Sequence, residues 1–278
     1  IFNMSTLQNL HNKLPLKEIV SKYKLILFDC DGVLWIEKAL LPTTTPLIQY
    51  LKDQNKHYRF LTNNNSMSRK TLLKAFHSDE RLFQLITEDS IYNAGYITSL
   101  HIKNKYPNIK KLFLVGSEEL SQEIGKYGVK VVNSTTMDDK YGMLTLDIDK
   151  YCQPEKDFDA VVVGYDELIN MYKVTFASRI LSNKQTVLLG TNIDRNRKGD
   201  GGTIPGTFTM VSSIEGATGR KAEIVTKPDP HCLEIILQDY NAGLKEGEEH
   251  IKRSEILMVG DNMTTDIMFA NNSGIDCL

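Results

Sequence analysis

The chain has 278 residues, of which 41% are hydrophobic and 24% charged, and its net charge is −2. That length allows one large domain or two smaller ones, each with its own core, and the composition excludes wholesale disorder. Lysine and arginine nearly balance aspartate and glutamate, so the totals point to no nucleic-acid surface and no membrane, and favour a small-molecule partner.

No apolar run approaches the length of a bilayer span, and Ile1 to Leu10 lack the basic and apolar regions of a signal peptide. A soluble, cytoplasmic protein is expected. Position 1 is Ile rather than Met, so the sequence is expected to be a fragment or to carry extra residues, with Met4 as a candidate start. Cys30, Cys152, Cys232 and Cys277 form no C-x-x-C pair and have no metal-ligand spacing to a histidine, which fits a reducing compartment.

In chain order, short apolar runs alternate with helix-period segments, the pattern of a parallel sheet covered by helices. Leu25 to Phe28 reads as a buried strand. Thr45 and Pro46 open a helix with Leu47, Ile48 and Leu51 on one face, and Tyr58 to Leu61 is the next strand. Ser68 caps a helix carrying Leu72, Leu73 and Phe76, and Ile91 to Lys103 is an amphipathic stretch. Pro107 and Asn108 mark a turn, after which a second set of strands begins: Leu112 to Val115, Val129 to Val132, Ala160 to Val163 and Val187 to Leu189. Between the last two lies a helix with Leu168, Tyr172, Phe176 and Ile180 on one side. A loop rich in Gly and charge, Asp194 to Gly202, follows. The first pattern then resumes with a helix from Asp229 to Tyr240, a strand from Ile256 to Val259 and a helix from Thr265 closed by Gly274.

Three strand ends and one rigid loop carry residues suited to chemistry. The first strand runs into Asp29-Cys30-Asp31-Gly32. Residues two apart on an extended chain point the same way, so both carboxylates can face one pocket and hold a hard cation. The second strand ends in Thr62-Asn63-Asn64-Asn65, a hydroxyl and several amides able to donate to phosphate oxygens. Lys227 stands before two prolines in Thr226-Lys227-Pro228-Asp229-Pro230 and is placed to neutralise a phosphoryl group. The last strand enters Gly260-Asp261, where Asp261 suits a magnesium ligand and Asp266 an orienting partner behind it. Taken singly, each reads first as a solvated acidic turn, a polar cap or an idle lysine.

Together and in this order, the motifs resemble the haloacid dehalogenase superfamily of phosphatases. The segment Phe28 to Trp35, the run from Thr62 through Ser68 and Arg69, Val162-Val163-Gly164 and Gly190-Thr191-Asn192-Ile193-Asp194 are similar to the branch of 4-nitrophenylphosphatases and phosphoglycolate phosphatases. This resemblance implies an α/β protein: a Rossmann-like parallel-sheet core, residues 1–106 and 209–278, with an inserted α/β cap domain at 107–208. It implies Asp29 as nucleophile, Asp31 as general acid and base, and Mg2+ held at Asp29, at Asp31 through its backbone carbonyl, and at Asp261. Thr62, Asn63, Asn64 and Lys227 are the expected phosphate-binding residues. The expected partner is a small-molecule phosphate ester, with 4-nitrophenyl phosphate as artificial and 2-phosphoglycolate as candidate natural substrate, and a homodimer through the cap is expected. Two positions depart from the family, Thr226 where Gly precedes the motif lysine and Asn262 where Arg follows the metal-binding aspartate. The chain also stops at Leu278, where the family continues into a further strand and helix. The competing readings are a phospho-acceptor signalling protein and an inactive phosphate-binding module.

Overall fold

The computed structural model describes residues 16–140, 148–199, 202–244 and 249–278. Met4 and residues 200 and 201 of the charged loop lie outside them. The chain divides into two compact units: one holds the described residues up to Thr62 with Leu73–Tyr92 and Ile236–Leu278, the other Asn63–Leu72 and Asn93–Ile235.

The first unit is built on a five-stranded sheet in the order Asp276–Cys277, Ile256–Val259, Leu25–Phe28, His57–Thr62, Ile91–Asn93. Leu25–Phe28 is central and pairs in parallel with both Ile256–Val259 and His57–Thr62. All four of its residues are buried, the pattern of a parallel strand covered on both faces. Phe60, Phe76, Ile48, Leu51 and Phe269 are fully buried, and each apolar side chain of this size contributes about 2 kcal/mol by leaving water.

The second unit has its own five-stranded sheet, Glu223–Ile224, Val187–Gly190, Ala160–Val163, Lys111–Val115, Lys130–Asn133, in which every pairing is parallel. Phe113, Val161, Phe176, Ile180 and Met210 pack in one core cluster, and Leu112, Leu114, Val162 and Ile124 in another. The sequence predicts the three central strands of the first sheet and four of the five strands of the second, but not Ile91–Asn93, Asp276–Cys277 or Glu223–Ile224.

Several local expectations are revised. Ile91 to Lys103 is not one amphipathic stretch: Ile91–Asn93 is a strand, and the helix Ala94–Lys105 is buried from Ala94 through Ile102, so it has no solvent-exposed face there. Leu168 lies outside the helix Met171–Leu181, which Asn170 caps by accepting from the Lys173 N–H, and is exposed. In the charged loop, Asn196–Gly199 and Gly202–Pro205 pair as an antiparallel ribbon. Ser68 does cap its helix, accepting from the Thr71 N–H at 3.2 Å. Cys30, Cys152, Cys232 and Cys277 are all free thiols. Among the described residues no helix is long and apolar enough to cross a membrane.

Candidate active site

Register places the acidic residues of the first unit. Phe28 stands opposite Val259, and the Asp29 N–H donates to the Val259 carbonyl at 2.8 Å. Two adjacent parallel strands therefore release Asp29 and Gly260-Asp261 at the same level, at the carboxyl edge where α/β sheets place ligands. One carboxylate oxygen from each of Asp29, Asp261 and Asp266 lies within 4.8 Å of the others. Asp29 and Asp266 are buried and Asp261 is exposed.

Two glycines make this convergence sterically feasible. Gly32 has φ +87°, and a Cβ there would stand 2.2 Å from Asp261 Oδ2. At Gly260 a Cβ would meet the Asp266 Cβ at 2.3 Å. The loop after Asp261 closes on itself: the Asn262 N–H donates to Asp266 Oδ2 (3.1 Å), while Asn262 Oδ1 accepts from the N–H and hydroxyl of Thr264. Asn262, where the family has Arg, thus serves as the cap of the turn Met263–Ile267.

Three carboxylates so close repel one another unless a cation lies among them, and their oxygens are hard donors of the kind Mg2+ takes. The donor set fits a divalent cation. The sequence reading assigns Asp31, through its backbone carbonyl, to the metal set and Asp266 to a place behind it. In the fold it is the Asp266 carboxylate that gathers with Asp29 and Asp261, while Asp31 Oδ1 accepts from the Trp35 indole N–H at 2.9 Å. Thr62 ends the strand His57–Thr62 and is buried.

The second unit carries the amides and the lysine. Asn63 Nδ2 donates to Asp194 Oδ1 and to the Lys227 carbonyl, each at 3.0 Å, and its own carbonyl accepts from Asn192 Nδ2 at 2.7 Å. Asn65 Nδ2 donates to the hydroxyls of Thr191 and Thr207. Asn64 Oδ1 accepts from the N–H groups of Ser66 and Met67, a side-chain turn that leaves the backbone aimed into the helix Arg69–Phe76. Lys227 is 1% exposed. Thr226, where the family has Gly, donates its hydroxyl to the Thr191 carbonyl at 2.6 Å. Burial pushes the Cys232 thiol up to about 12, against the opposing pull of the Lys227 charge.

Sequence reasoning missed Trp35, Asn65, Asn192 and Asp194 as supports of these groups. Asn192 and Asp194 stand in a quoted motif, but nothing local marks them as partners of Asn63, 129 and 131 residues earlier.

A model described as haloacid dehalogenase-like hydrolase matches residues 26–130, and one described as HAD-hydrolase-like matches 224–278. The chain is 28% identical over 261 residues to a 4-nitrophenylphosphatase of Schizosaccharomyces pombe, covering 93% of this chain and 83% of that protein. It is 28% identical over 265 residues to phosphoglycolate phosphatase 2 of Arabidopsis thaliana, covering 94% and 84%. The solved structure of a p-nitrophenyl phosphatase from Archaeoglobus fulgidus is similar with TM-score 0.74 and 26% identity, covering 92% of this chain and 85% of that one. The two matched models include both aspartate-bearing strand ends, and the chain belongs to the haloacid dehalogenase-like hydrolases.

Proposed function

We propose that this chain is a magnesium-dependent phosphomonoester hydrolase working through an aspartyl phosphate on Asp29. The observation that carries the reading is the convergence of Asp29, Asp261 and Asp266 within 4.8 Å at adjacent strand ends, with Asp31 two residues beyond the nucleophile. The similarity to named phosphatases supports it.

Asp29 attacks phosphorus, which divides one difficult displacement into two easier ones. Asp31 protonates the departing oxygen and then deprotonates the attacking water. Asp29, Asp261 and Asp266, with the Asp31 backbone carbonyl, would hold Mg2+, which when bound neutralises charge on the nucleophile and the phosphoryl oxygens. Thr62, Asn63, Asn64 and Lys227 are assigned the phosphate grip by their motif positions; both Nδ2 hydrogens of Asn63 go to Asp194 and the Lys227 carbonyl, so its side chain orients the loop and its backbone N–H is the donor left for phosphate. The candidate natural substrate is 2-phosphoglycolate, supported by the similarity to the Arabidopsis enzyme.

The test is release of nitrophenol from 4-nitrophenyl phosphate by the wild type and by Asp29→Asn, with magnesium or with chelator. Release by the wild type with magnesium alone is expected. Equal release by Asp29→Asn, or in chelator, would sink the reading.

A further inference from the structure

Trp35 is the only tryptophan of the chain, and no step above uses it. It lies on the short strand Trp35–Ile36, which returns through Ala39–Leu40 as a hairpin with Trp35 opposite Leu40. Glu37 and Lys38 make the turn with φ of +50° and +69°, a region that side-chain-bearing residues enter at a cost of about 1 kcal/mol or more each. The hairpin is tied to the nucleophile loop: the Gly32 N–H donates to the Trp35 carbonyl at 2.8 Å, and the Trp35 N–H to the Cys30 carbonyl at 3.2 Å. The indole is 1% exposed and packs on Phe76 with ring centroids 4.6 Å apart. From this fixed seat its Nε1 donates to Asp31 Oδ1 at 2.9 Å.

An indole N–H donates and never accepts. Oδ1 of Asp31 is therefore an acceptor whether or not the carboxyl carries a proton, and the exchangeable proton is confined to Oδ2. We infer that Trp35 is the positioning residue of Asp31, presenting Oδ2 for proton transfer in both halves of the reaction. This rests on the phosphatase reading. In the first half a carboxylate oxygen of Asp29 bonds to phosphorus while the bond from phosphorus to the leaving oxygen breaks. That oxygen keeps the electron pair and takes the proton of Oδ2. In the second half Oδ2 takes a proton from water, the water oxygen bonds to phosphorus, and Asp29 leaves with its electron pair as carboxylate.

Trp35→Phe keeps an aromatic ring against Phe76 and removes the donor. Nitrophenolate departs as a stable anion and needs little protonation, whereas an alkoxide needs a proton to leave. The kcat/KM, which reports the half that expels the leaving oxygen, should fall roughly thirtyfold for an alkyl phosphate and only severalfold for 4-nitrophenyl phosphate. An equal loss with both esters, or no loss, would overturn the role. If the wild type hydrolyses neither ester, the phosphatase reading fails and the role falls with it. An independent readout needs no Trp35 variant: with one tryptophan, the proton–nitrogen NMR spectrum contains one indole signal. Asp31→Leu should move that proton upfield, and an unmoved signal in the folded variant would remove the contact on which the inference stands.

Discussion

Gly32 and Asp261 approach so closely that the smallest side chain at residue 32 would occupy the place of a carboxylate oxygen, 2.2 Å from Asp261 Oδ2. Gly32→Ala must displace Asp261 and also hold alanine at φ +87°, which costs about 1 kcal/mol. The expected result is a modest loss of stability with a turnover loss of roughly a hundredfold, because misplacement by about an ångström degrades catalysis on that scale. Magnesium titration of activity beside a thermal melt checks both halves.

Asn65 is expected to matter for stability rather than chemistry. Its amide bonds Thr191 Oγ1 at 2.7 Å and Thr207 Oγ1 at 2.9 Å, and all three side chains are buried. Asn65→Leu removes both bonds and leaves buried hydroxyls with fewer partners, a loss of about 2 kcal/mol. Urea unfolding should show a lower midpoint at unchanged slope.

Glu123 has a fully buried carboxylate that meets Arg69 Nε at 2.9 Å and Lys126 Nζ at 3.2 Å, and the Arg69 guanidinium lies 3.7 Å from the Tyr96 ring centroid. Removing one member of such a pair strands the other charge in the interior. Glu123→Ala should cost about 3–5 kcal/mol. Replacing both partners in Glu123→Leu with Arg69→Met should recover much of that loss in a denaturation series.

Acid stability should report on Asp276 at the edge of the first sheet. The hydrogen bond from Lys22, joined by that from Tyr23, holds its carboxyl below the ordinary 3.8. A group depressed in the folded state contributes above its unfolded value and loses that contribution as pH falls through the folded value. The stability gap between wild type and Asp276→Asn should therefore close progressively as the pH falls below the ordinary carboxyl value of 3.8. A gap that stays constant to the lowest pH measured would contradict this.

The sheets were legible because their central strands are buried on both faces and read as unbroken apolar runs: Leu25–Phe28, Ala160–Val163 and Ile256–Val259 are short and carry no charge. Trp35–Ile36 with Ala39–Leu40 was not legible, since its turn uses Glu37 and Lys38 in place of the Gly or Asn that announces such hairpins. The ribbon Asn196–Gly199 with Gly202–Pro205 is hidden by its charge, which resembles that of a solvated loop. For the candidate site, Asp29 and Asp261 stand at the ends of apolar strand runs, which marks them in the sequence, whereas Asp266 lies inside the turn Met263–Ile267 and its approach to them does not show in the spacing. Nor do the contacts that hold such groups. Which oxygen of Asp31 is bonded by Trp35, and that Asn65 meets Thr191 and Thr207, depend on how distant segments return through the fold.

The central claim is a covalent phosphoryl group on Asp29, and it is tested by rapidly quenching the wild-type enzyme during turnover of 4-nitrophenyl phosphate and reducing it with borohydride. Reduction converts an aspartyl phosphate to homoserine, which mass spectrometry locates in the peptide. The account predicts homoserine at residue 29, only when substrate and magnesium are both present. Homoserine at another position, or steady turnover with residue 29 unmodified at every quench time, would contradict it.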